Sequence, residues 1–222
     1  SSKSKILLTN DYGFDDKKVS ILPPISETQL SKFQIHRKNK NLEKIKLNFL
    51  IVGRIVPHKN IEEGIHIFKK YNIKYPLSKL NIVGSYEVSS EYFKDLICLV
   101  NSYNLLDKVK FYGFLSDSKL KNIYNNSNIL LHPSMHEGFG LPILEAFKAK
   151  LLVVCRRNII SKDLIEYDEQ TYTDIDNAYS FLLNLNDDKF NKIISRQNET
   201  LMIIKKSSQS IMYRTLFIDN VK

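Results

Sequence analysis

Two carboxylates frame the stretch of this chain with the most chemical content, "HPSMHEGFGLPILEA" over 132–146, where Glu137 and Glu145 stand eight positions apart. Gly138 and Gly140 let backbone amides come close to a ligand. Leu141-Pro142 opens a helix, with Pro142 in the first turn, where its missing N–H is no loss. Exposed amides and the helix dipole favour phosphate or sugar oxygens at that point. A carboxylate beside such a cradle would repel phosphate, so its use must be different. It can accept the two hydroxyls of a vicinal diol, each charge-assisted hydrogen bond being worth roughly 1.5–3 kcal/mol. Carboxylate, cradle, carboxylate is the order that suits a diol, a diphosphate and a hydroxylated sugar. The alternative is a capped helix with solvent-facing acids.

A second stretch, "GRIVPHKN" over 53–60, adds cations. Gly53 permits a tight turn, Arg54 offers a planar fork of donors, and Lys59 offers an ammonium near the start of the next helix. Two cations beside a helix N-terminus suit a diphosphate. The alternative is surface charge on a basic protein.

Short apolar runs alternating with amphipathic segments must position these residues. "LNFLIV" (47–52), "KLNIV" (79–83), "KVKFY" (108–112), "NILLH" (128–132) and "LLVVC" (151–155) read as strands, the last being the final clear one. "LNFLIV" shows no polar alternation beyond Asn48, as expected of a strand covered on both faces. Helices are expected after Asn60 and Ser116 as caps, over about 90–103, and through "PILEAFKAK"; beyond Ser161 the pattern is mainly helical. Repeated strand–helix units imply an α/β fold, a Rossmann-like parallel sheet with helices on both faces. Ligands in such sheets sit at the carboxyl ends of the strands. Gly53-Arg54, Gly84-Ser85, Gly113-Phe114 and the 133–140 loop all follow strands, so four loops converge on one rim.

Composition narrows the alternatives. The 222 residues are 43% hydrophobic and 26% charged, ordinary for a globular chain with one sizeable core. No apolar run is long enough to span a bilayer. The short "ILL" near the start lacks a signal peptide's longer apolar core, which points to the cytoplasm. Cys98 and Cys155 read as two buried free thiols. No Cys/His set has metal-ligand spacing; His132 and His136 could share a helix face, but Pro133 argues against a helix there. The net charge of +9 is densest over 31–46, with six Lys/Arg against one Glu. That stretch lacks interleaved aromatics or a nucleic-acid module, so it reads as a solvated linker, with membrane contact as the weaker alternative.

With these landmarks in place, "EGFGLPILEA" resembles the E-x7-E motif of glycosyltransferase family 4, the retaining group 1 transferases of GT-B fold. "VGRIVPHKN", "LNIVG", "DKVKFYGFLSDSKLKNIY", "SNILLHPSMHEGFGLPILEAF" and "LLVVC" follow in the family's order, covering about 47–155. The resemblance implies that the chain is the C-terminal, donor-binding half of a GT-B enzyme. Residues 1–45 would then be a connector and remnant of the acceptor domain, 46–185 the nucleotide-sugar-binding domain and 186–222 a C-terminal helical segment. Arg54 and Lys59 should bind the diphosphate and Glu145 the ribose hydroxyls. Glu137, with the backbone of Gly138, Phe139, Gly140 and Leu141, should hold the transferred sugar and phosphate. Gly53, Gly84, Gly113 and Phe114 should complete the donor site, the last two meeting the base. The donor would be a UDP- or GDP-sugar, with no cofactor and no metal, because cations and helix amides stabilise the leaving group. Glu137, Arg54 and Lys59 are the expected catalytic residues.

The expected partners are the nucleotide sugar, a glycan or lipid-linked acceptor, a separate N-terminal domain and the cytoplasmic membrane face, but no nucleic acid. The fragment alone is expected to be inactive without the acceptor domain. One competing reading is a non-catalytic nucleotide-sugar-binding or partner-docking module that keeps the fold; the intact Arg54, Lys59, Glu137 and Glu145 favour the enzyme. The chain also departs from the family where the turn after the motif helix reads "KAKLLVV", with Lys148 and Lys150 replacing small residues.

Overall fold

The protein is described by a computed structural model covering Asn10 and residues 46–137, 140–157 and 170–213. The strand expected over 18–24, the basic stretch before Lys46, and Gly138 and Phe139 lie outside the described residues. The sheet strands are β1 (Asn48–Val52), β2 (Lys79–Val83), β3 (Val109–Phe111), β4 (Ile129–His132), β5 (Leu152–Arg156) and β6 (Thr171–Tyr172). The helices are α1 (Ile61–Lys74), α2 (Glu91–Ser102), α3 (Asp117–Asn126), α4 (Leu141–Lys148), α5 (Ile175–Leu183) and α6 (Asp187–Tyr213). All described pairings are parallel, in the order β3-β2-β1-β4-β5-β6. The order reverses between β1 and β4, which opens a crevice at the carboxyl ends of those two strands.

Strand alternation divides the core. Phe49 and Ile51 of β1 point into one cluster with α1, α2 and α5, where Phe49 meets Phe68 and Tyr71 edge-on at 5.6 and 5.1 Å. Leu50 points the other way, into a cluster with Tyr124 of α3 and Ile143, Leu144 and Phe147 of α4. Both faces of the strand are thus dry, which is why its sequence shows no alternation with polar residues. Helix α6 belongs to both clusters, through Ile193 in the first and Leu201 and Ile204 in the second. It is held by buried Gln197, whose amide donates to Leu151 O at 2.7 Å and accepts from Val153 N at 3.1 Å.

Several expectations need correction. The last strand is β6, not β5: two residues, Thr171 and Tyr172, carry too little pattern to read, yet they pair with Cys155 and Arg156. Cys155 is buried and burial pushes its thiol up to about 12, but Cys98 is exposed. It lies two residues from both Leu96 and Val100, the inward positions of α2, so helical periodicity turns it outward. Neither Asn60 nor Ser116 caps its helix through the side chain. Asn60 sits in the left-handed region at φ 51° and donates instead to Glu63 Oε2 at 2.9 Å, while Ser116 Oγ lies 3.2 Å from Ser118 Oγ.

The departure at "KAKLLVV" also has a structural answer. Lys150 takes the left-handed residue after α4, at φ 53°, where glycine is usual. Its N–H donates to Phe147 O at 3.0 Å and that of Leu151 to Ala146 O at 2.9 Å, so the helix end keeps a Schellman turn.

Candidate functional site

The loops leaving β1, β2 and β3 lie side by side because their backbones continue the ladder beyond the strands. Gly53 N donates to Val83 O, Ile55 N to Ser85 O and Gly84 N to Gly113 O, each at 3.0 Å. This requires glycine at 84, where an added Cβ would stand 1.8 Å from the carbonyl oxygen of Gly53. Beside this seam opens a cleft of about 350 Å³ lined by Arg54, Ile55, Val56, Ser85, Tyr86, Glu87 and Ser90. Arg54 is exposed at its edge. Tyr86 is stacked on Phe93, ring centroids 4.0 Å apart at 16°. Gly113 adopts φ 66° next to Tyr86, and Phe114 is 85% exposed.

The loop after β4 is pinned to the loop after β1. Met135 N donates to His58 O at 2.8 Å, and buried Ser134 donates to His136 O at 2.8 Å. Pro57–Lys59 form a short 3₁₀ turn before Asn60, and this aims Lys59 across the crevice at Glu137. Lys59 Nζ and Glu137 Oε1 form an ion pair, both side chains being largely buried. His132 Nε2, at the end of β4, lies 3.2 Å from the same oxygen, within ion-pair reach but outside hydrogen-bond geometry. Burial alone would raise the Glu137 carboxyl; His132 and Lys59 outweigh it and hold it at about 2. Glu137 is therefore a carboxylate at any physiological pH.

Helix α4 starts at Gly140, in the left-handed region at φ 77°, with Pro142 in the first turn and Leu141 40% exposed. Glu145 lies one turn in. Its Oε2 accepts a hydrogen bond from the Tyr124 hydroxyl at 2.7 Å. Burial raises the Glu145 carboxyl above its usual range; the phenol works against that, and Asp117 adds to it.

The fold thus brings Gly53, Arg54, Gly84, Gly113 and Phe114 to one group of adjoining loops, and joins Lys59 to Glu137. Glu145 stands at the start of α4 with Gly140 and Leu141. Three contributors escaped the reading of the sequence. Tyr124 falls on the apolar stripe of "DSKLKNIYNN" and looks like core, which its ring is. His132 looks like the end of a strand. Ser134 bonds only to backbone. No local spacing links any of them to the carboxylates. Among the described residues, no group of three His, Cys, Asp or Glu could hold a metal ion, and no helix is long and apolar enough to cross a membrane.

Comparison with known proteins connects this geometry to a family. The family model described as glycosyl transferases group 1 matches residues 32–197. The serotype-specific mannosyltransferase WbdA of Escherichia coli is 38% identical over 104 residues, 45% of this chain and 12% of that protein. The O-antigen chain mannosyltransferase RfbU of Salmonella typhimurium is 30% identical over 147 residues, 66% of this chain and 38% of that protein. The matches therefore span well under half of these relatives.

Solved structures agree on the fold, and the GT-B glycosyltransferases are its neighbours. A TarM variant of S. aureus in complex with Fondaparinux, alpha-GlcNAc-glycerol and UDP aligns with a TM-score of 0.75 at 21% identity, over 97% of this chain and 42% of that one. Anabaena HepE in complex with UDP and glucose gives 0.74 at 18% identity, over 98% and 62%. The C-terminal domain of the group 1 protein LpcC of Francisella tularensis gives 0.63 at 24% identity, over 82% and 95%.

Proposed function

This chain belongs to the group 1 glycosyl transferases, and on that footing we propose that it binds a nucleotide diphosphate sugar along its rim and serves as the donor-binding part of a retaining transferase. The observation that carries the proposal is the crevice itself. Lys59 and Glu137, from loops after β1 and β4, meet at the point where the strand order reverses.

In this reading Arg54 and Lys59 neutralise the diphosphate, helped by the amides at the start of α4. Glu145 receives ribose hydroxyls. Glu137 receives hydroxyls of the sugar and orients Lys59. With its carboxyl held at about 2 it cannot act as a proton donor at neutral pH; it is an acceptor and a counter-ion. Transfer breaks the bond from the anomeric carbon to the diphosphate oxygen. It forms a bond from the same face to an acceptor hydroxyl, whose proton leaves with the diphosphate. Stabilisation of the departing charge is the chain's contribution, and it asks for no metal.

The names of the relatives favour a mannosyl group and a growing glycan such as an O-antigen chain, and the place we propose for the transfer is the cytoplasmic face of a membrane. The acceptor would be held by a second domain, without which the chain would be inactive. The base, UDP or GDP, follows from a titration. The chain is melted with UDP, GDP, ADP and their sugar conjugates, with Glu145→Ala alongside. A ligand at a hundred times its Kd adds about 2.7 kcal/mol, a clear rise in Tm that the variant should lose. No rise with any nucleotide would overturn the donor reading.

A further inference from the structure

Glu145 is an acceptor of unusual placement. It is half-buried and its carboxyl is raised by that burial, and among the described residues no cation pairs with it. Its hydrogen-bond partner is the Tyr124 hydroxyl, 2.7 Å from Oε2, on a different helix and 21 residues away. The Tyr124 ring is fully buried between α3 and α4, in the cluster with Ile143, Leu144 and Phe147. The same hydroxyl lies 3.4 Å from Pro142 O, in the first turn of α4. One phenol therefore holds both the carboxylate and the start of the helix that carries it. A carboxylate with an unconstrained χ3 would sweep both oxygens through the site. With Oε2 bound from beneath, Oε1 is the oxygen left for a ligand.

We infer that Tyr124 is the positioning residue of the ribose seat: its hydroxyl anchors Oε2 of Glu145, so that the vicinal diol is received on Oε1. This rests on the donor reading above and deepens it. A ligand carboxylate does not need two free oxygens to accept a diol, because one oxygen has two lone pairs. It does need a fixed direction, and pre-organisation lowers the ordering cost of binding. Tyrosine suits this better than lysine or arginine. A cation would tighten the carboxylate but would compete with the diol for its charge, whereas a neutral phenol leaves that charge to the ligand. Burial and the neighbouring Glu145 push the Tyr124 hydroxyl well above its ordinary range, so it remains a donor at every working pH.

The test compares ribose with a sugar that lacks the diol. The unmodified chain, Tyr124→Phe and Glu145→Ala are each titrated by calorimetry with UDP and 2′,3′-dideoxy-UDP, and with GDP and 2′,3′-dideoxy-GDP. The unmodified chain should prefer the ribonucleotide by about tenfold or more, the value of one charge-assisted hydrogen bond. Tyr124→Phe, which keeps the ring and its packing, should reduce that preference to within about threefold and leave dideoxy affinity unchanged. A hydroxyl that only supports the start of α4 would weaken both ligands together and leave the ratio alone. An unchanged ratio in Tyr124→Phe, with the ratio lost in Glu145→Ala, overturns the positioning role and leaves the ribose role of Glu145 standing. No ribonucleotide preference in the unmodified chain, or no binding at all, overturns the donor reading and this inference with it.

Discussion

Lys59 and Glu137, 78 residues apart in sequence, form an ion pair across the crevice between β1 and β4, with His132 Nε2 3.2 Å from the same carboxylate oxygen. The Lys59 ammonium and the His132 ring beside one mostly buried carboxylate make it a strong anion.

That anion should appear in the pH dependence of stability. The folded carboxyl, at about 2, lies below its usual 4.5. Its contribution is therefore fully present above about pH 4.5 and is lost as pH falls toward 2. The shift corresponds to about 3 kcal/mol, with more than half gone by pH 3. Melting the unmodified chain and Glu137→Gln at pH 7 and pH 3 checks it. The gap between them should be several degrees at pH 7 and should narrow sharply at pH 3. A gap of equal size at both values would refute the ion pair as its source.

Arg54 separates binding from stability. It is exposed and lines the cleft, so Arg54→Ala should change stability by no more than about 0.5 kcal/mol, as is typical of surface sites, and leave Tm nearly unmoved. Nucleotide diphosphate affinity should fall roughly tenfold to a hundredfold. Lys59→Ala should lose both, because it leaves Glu137 buried with one cation fewer. Equal Tm losses in the two variants would show that the ion pair adds nothing to the fold.

Gly84→Ala is expected to be severe. The new Cβ would fall 1.8 Å from Gly53 O, and backbone rather than a flexible side chain would have to move. A loss of about 3 kcal/mol or more follows, together with the seam that aligns the rim. A thermal or urea melt measures it, and an unchanged midpoint would mean that the two loops can separate freely.

Lys150 offers the opposite sign. It occupies the left-handed position of a Schellman turn at φ 53°, a conformation that costs a side-chain-bearing residue roughly 1–2 kcal/mol. Glycine removes that strain but gives back part of it as unfolded-chain entropy. Lys150→Gly should therefore raise stability by about 0.5–1 kcal/mol. A fall in the urea midpoint would show that the lysine side chain contributes more than its backbone costs.

The sheet was easy to read because β1, β4 and β5 are almost wholly apolar and β2 carries Leu80, Ile82 and Val83, and that pattern needs only neighbouring residues. Their limits differ from the sequence reading by one residue at most. Strand β6 was not legible, because Thr171 and Tyr172 become a strand only through the edge that β5 offers them. The exposure of Cys98 was missed for a different reason: an apolar run looks buried throughout until a helix turns one side of it to solvent.

Among the site residues, the types and order of Arg54, Lys59, Glu137, Gly140 and Glu145 were written in the chain, since glycines, cations and carboxylates after strands announce a rim. Their partners were not. Whether Lys59 faces Glu137 depends on β1 and β4 being neighbours, which is a property of strand order. Whether Glu145 is held depends on Tyr124, whose place on α3 marks it as core. Composition and periodicity act over one or two turns of chain, whereas an ion pair over 78 positions or a phenol over 21 is decided only when helices pack on a sheet and their side chains must share space.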